Sequence, residues 1–150
     1  MRASITTVAV LTLVAGSPAQ ALDCLDQQTL TAARVNEFAV LMTAVKLRCK
    51  TVGVDLSASY NAMMTNHRPF FSAADRKLRA FFADKPRAFD AYSTRLGNRF
   101  GGGATDYATC NRFEKVARDL AENSDAGALG RVVFKMVAVP HIEGTDCPRP

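Results

Sequence analysis

The chain of 150 residues contains no tryptophan and only two histidines, His67 and His141. Its four cysteines never form Cys-x-x-Cys or Cys-x-x-Cys-His, which removes a thioredoxin-type redox pair and covalent haem attachment. They are too scattered for a zinc site, whose ligands usually come in closely spaced pairs. No Gly-x-Ser-x-Gly elbow is present, so an esterase of that type is unsupported. The one glycine cluster, Gly101-Gly102-Gly103, is not followed by Lys-Ser or Lys-Thr and reads as a flexible turn rather than a phosphate loop. No nucleic-acid-binding motif, internal repeat, low-complexity tract or interdomain linker is present.

The N-terminus does carry a pattern. Arg2 is followed by the apolar run Ile5 to Ala15, then Gly16-Ser17-Pro18, then the small-large-small triplet Ala19-Gln20-Ala21. That order predicts a cleavable signal peptide over residues 1–21 and a single domain over 22–150. The run is shorter than the roughly 20 residues that span a bilayer, so no transmembrane segment is expected in the mature form. Asp23 directly before Cys24 argues against lipid anchoring there. The predicted location is periplasmic or secreted.

Export makes two disulfides the natural use of Cys24, Cys49, Cys110 and Cys147, and leaves no thiol nucleophile. Apolar spacing predicts a first helix from about Thr29 to Arg48, with Asp26 as cap and Leu30, Ala33, Phe38, Leu41, Met42, Val45 and Leu47 on one face. Such a helix is about 30 Å long, whereas disulfide partners have Cα atoms within about 7 Å. Cys24–Cys49 is thereby excluded. Of the two remaining pairings, Cys49–Cys110 with Cys24–Cys147 suits antiparallel packing better.

Further helices are expected from Asp55 or Ser57, from a capping-box-like Ser72-Ala73-Ala74-Asp75, from Asp84-Lys85-Pro86, from about Thr105, and over about Ala126 to Val137. Pro69 predicts a break or kink at Arg68. Val132–Val139 is also valine-rich enough to be a strand candidate, and the tail from Pro140 reads as extended. Tyr60, Tyr92 and Tyr107 fall on apolar stripes and are expected in the core with their hydroxyls at its edge. The fold class is therefore all-α, a compact bundle or orthogonal array of about five to six helices.

Charge is the most informative functional feature. Residues 75–99 hold Arg76, Lys77, Arg79, Lys85, Arg87, Arg95 and Arg99 against Asp75, Asp84 and Asp90, an excess of four that equals the whole net charge after removal of residues 1–21. Arg76 with Arg79, and Arg95 with Arg99, each share a helical face, where like charges cost a few tenths of a kcal/mol that a partner would offset. This basic hairpin predicts a non-catalytic binding module for an anionic partner: lipid headgroups, a cell-wall polymer or an acidic protein surface. No nucleic-acid partner and no cofactor are expected.

Two other readings compete. Met63, Met64 and His67 lie within one helical turn, and thioether plus imidazole suits copper(I) or haem iron; methionines at such spacing more commonly fill cores. Glu37, Glu114, Glu122 and Glu143 supply carboxylates for an enzyme acting on cell-wall glycans, provided two converge. His141 lies in the tail and joins any site only through folding. In outline the layout resembles the small helical proteins that bacteria export to the periplasm, acid-stress chaperones and immunity proteins among them. That likeness is one of architecture and carries no residue assignments.

Overall fold

The computed structural model describes residues 24–148, so the proposed signal segment lies outside the described residues. Among the described residues six helices follow in order: α1 (Gln27–Lys50), α2 (Ser57–Asn66), α3 (Arg68–Phe81), α4 (Pro86–Gly101), α5 (Tyr107–Glu122) and α6 (Ala126–Met136). Among the described residues there is no strand; the one isolated β-bridge joins Leu25 to Asp146. The chain is all-α, as its periodicity predicts.

α1 is the axis. Asp26 caps it by accepting the Thr29 amide at 2.6 Å, and the other five helices all pack against it. A helix covered on several sides does not keep one apolar stripe. Ala32, Ala33, Phe38, Met42, Val45 and Cys49 are buried around its circumference, while Leu47 is 63 % exposed. Leu47 is two residues from both Val45 and Cys49, about 200° around the helix, and so points away from both.

The core has three parts. One lies among α1, α3, α4 and the tail and contains Leu25, Ala33, Leu78, Phe82, Tyr92, Leu96 and Ile142. The second lies among α1, α2, α5 and α6 and contains Phe38, Met42, Met63, Ala117, Leu120, Leu129 and Val133. The third surrounds the Cys49–Cys110 disulfide with Val45, Val54 and Leu56. Cys24 pairs with Cys147, with Cα atoms 4.9 Å apart. Beside that bond Leu25 donates its amide to the Thr145 carbonyl at 2.8 Å. Gly144 allows this closure, because a Cβ there would stand 2.8 Å from Leu25 Cγ.

Several local expectations change. α3 starts at Arg68, with Pro69 in its first turn; only His67 separates it from α2. The Ser72-to-Asp75 box therefore lies inside a helix whose preceding turn already supplies hydrogen-bond partners, and it caps nothing. Lys85, not Asp84, occupies the cap position of α4. Val132 to Met136 is helical, because Asp125 caps α6 through the Ala128 amide and Leu129 and Val133 are buried one turn apart. Tyr107 is 63 % exposed at the first position of α5, before that helix reaches the core at Cys110. Among the described residues no helix is long and apolar enough to cross a membrane.

Candidate functional site

The basic hairpin is built on an aromatic hinge. Phe81 meets Phe82 edge-on at 4.9 Å, Phe82 stacks on Tyr92 at 5.8 Å, and Phe82 contacts Phe89 at 5.7 Å. These rings tie the end of α3 to the start of α4 and leave the cations outside. Arg79 donates to Asp75 at 2.8 Å and lies over the Phe89 ring at 5.1 Å; the Asp75 hydrogen bond and charge raise its pKa. Arg95 reaches Glu143 of the tail at 3.4 Å. Lys77 bonds Asp26 at 2.9 Å. The Thr29 side chain and amide, and then Lys77, hold Asp26 down at about 2.

Arg76, Arg87 and Arg99 are exposed, and among the described residues no carboxylate pairs with them. The hairpin does not present its cations as one sheet of charge. Arg95 lines a hollow of about 340 Å³ shared with Phe82, Lys85 and Glu143. Arg76 instead lines a groove of about 640 Å³ between α2 and α3, where Arg68 joins it. Arg68 lies outside the basic segment and was not singled out by the charge count.

Met63, Met64 and His67 diverge. Met63 is wholly buried in the core against α1, α5 and α6. Met64, one residue on, is half-buried and lines the α2–α3 groove. His67 is wholly buried, with Nε2 3.0 Å from the Leu120 carbonyl oxygen and Nδ1 without a hydrogen-bond partner. A carbonyl only accepts, so Nε2 carries the hydrogen. Among the described residues no three His, Cys, Asp or Glu side chains are grouped to hold a metal ion.

The four glutamates also separate. Glu114 pairs with Arg118 at 2.8 Å, Glu143 with Arg95, and Glu122 is exposed at the end of α5. Glu37 has no exposed surface, and its carboxylate organises a polar cluster inside the α1–α4–tail region. It accepts the Tyr92 hydroxyl at 3.2 Å, the His141 amide at 2.5 Å and His141 Nδ1 at 2.8 Å. Burial first, and then the Glu37 charge, push the Tyr92 phenol far above its ordinary value. Its hydroxyl thus turns inward to a carboxylate rather than out to the core's edge. The His141 side chain remains 40 % exposed. The sequence held one clue: Glu37 stands four residues after Ala33 and four before Leu41, on the face otherwise read as apolar.

No family model, curated protein or solved structure matches the chain.

Proposed function

We propose that the chain is exported to an oxidising compartment, and that its domain is a non-catalytic binding module that meets an anionic partner through cations of α3 and α4. The observation that carries this reading is the division of the hairpin's charge. Lys77, Arg79 and Arg95 are committed to carboxylates of this chain, while Arg76, Arg87 and Arg99 stand exposed with no such partner among the described residues. Like charges gathered on two adjacent helices raise the local potential, favouring association with an anion and making it salt-dependent. The two disulfides are compatible with an oxidising location.

The test is binding of the folded domain to a soluble polyuronate and to vesicles containing an anionic phospholipid, at low and at physiological salt. The expected result is binding to at least one of them that weakens with salt. Reversal of Arg76, Arg87 and Arg99 to Glu together should reduce affinity by at least about tenfold without changing the circular dichroism spectrum. Failure of the unmodified protein to bind either polyanion at low salt, or unchanged binding by the folded triple variant, overturns the reading.

A further inference from the structure

The groove between α2 and α3 narrows the class of partner. Arg68 and Arg76 lie eight residues apart on α3, which sets them about 12 Å apart along the helix, with Ser72 midway. All three line the groove, and both arginines are exposed with no carboxylate partner among the described residues. Helical side chains lean toward the N-terminus, so Arg76 leans over Ser72 while Arg68 leans away. The two guanidiniums therefore serve separate anionic groups rather than clamping one.

Across the groove, α2 contributes Asn61 and Thr65, one turn apart, and Met64 and Phe71 supply apolar surface, both half-buried. Asp75 also lines the groove, but its carboxylate is engaged by Arg79 at 2.8 Å. The lining thus combines cations at a fixed spacing, amide and hydroxyl groups that both donate and accept, and an apolar patch. A simple ion would use only the first of these.

We infer that this groove binds an extended, polyhydroxylated polyanion, a linear glycan whose carboxylate or phosphate groups meet Arg68 and Arg76. Its hydroxyls face Ser72, Asn61 and Thr65, and the C–H face of a sugar ring rests on Met64 and Phe71. This rests on the anionic-partner reading and adds to it both the location and the ligand class.

The experiment is calorimetric titration of the intact protein with three probes: an oligogalacturonate, a phosphodiester-linked hexose oligomer, and inorganic polyphosphate, which has charge but neither hydroxyls nor rings. At least one of the first two should bind more tightly than polyphosphate; which one does identifies carboxylate or phosphate as the anionic group. Arg68→Ala and Arg76→Ala should each weaken that binding by about tenfold, the loss of one charge-assisted hydrogen bond. Arg87→Ala with Arg99→Ala, away from the groove, should change it less than Arg68→Ala alone. Arg68 is exposed, so an unchanged circular dichroism spectrum will show that its loss acts on binding and not on folding. If Arg68→Ala is silent while the Arg87 and Arg99 changes abolish binding, the groove inference falls and the basic hairpin reading stands. Polyphosphate binding as tightly as both oligomers overturns the glycan assignment. No binding of any probe overturns the groove inference, and the anionic-partner reading falls with it only if anionic vesicles also fail to bind.

Discussion

Glu37 and Phe38 are neighbours in the sequence, and neither has any exposed surface, yet they serve different halves of the molecule. Phe38 faces α2, α5 and α6, a region filled by Met42, Met63, Ala117, Leu120 and Val133. Glu37 faces α4 and the tail, a region that contains the Phe82 and Tyr92 rings and a hydrogen-bonded carboxylate. The half around Phe38 closes between helices, by apolar packing and the buried His67–Leu120 hydrogen bond. The polar half needs residues more than a hundred positions away, because the His141 amide and ring that satisfy Glu37 are 104 residues distant in sequence. A buried carboxylate is tolerable only where such partners are in place. The first half joins helix to helix; the second specifies where the tail must lie.

Breaking each half should give different signatures. Phe38→Ala should cost the most, about 3–5 kcal/mol in chemical denaturation, because it leaves a cavity beside the central helix. The loss should appear as a lower midpoint for the whole domain. Glu37→Ala should cost less, about 1–3 kcal/mol, as the Tyr92 hydroxyl and His141 amide lose their acceptor. Its distinguishing sign is location: hydrogen exchange should accelerate in residues 138–146 while α5 and α6 remain protected. Uniform acceleration would show that the halves are not separable.

The smallest effect concerns acid. Asp26 joins α1 to α3 through Thr29 and Lys77, and its folded value of about 2 lies below the ordinary 3.8. A depressed carboxylate stabilises the fold above its unfolded value, so this contribution is complete above about 3.8 and fades as pH falls toward 2. The side chain is 46 % exposed, and solvent screening limits the effect to a fraction of a kcal/mol. Asp26→Asn should therefore lower stability slightly at neutral pH and not at all near pH 2, as followed by thermal melting; an equal loss at both would assign the effect to packing.

Much of the architecture was legible because it depends on local periodicity. The six helices follow the apolar spacing, and the length of α1 alone excluded one cysteine pairing. The sequence misleads where something beyond apolar spacing decides. Ser72 looks like a cap only if α3 starts there, but Pro69 starts it a turn earlier. Tyr107 matches the stripe of α5, but that helix extends past the core at its first turn. Glu37 gave little notice of its role, since a carboxylate among apolar residues acquires partners only after the tail returns. The α2–α3 groove was invisible for a related reason. Arg68 lies outside the basic segment, and its company with Arg76 depends on how two nearly continuous helices diverge at His67.

The Cys24–Cys147 bond also sets the path that mechanical load takes. Tension entering at Cys24 passes to Cys147 through a covalent link spanning 4.9 Å between Cα atoms, bypassing all six helices. The domain can thus be stretched between attachments on either side without its core being drawn upon, whereas a reduced form would transmit the same force through residues 25–146.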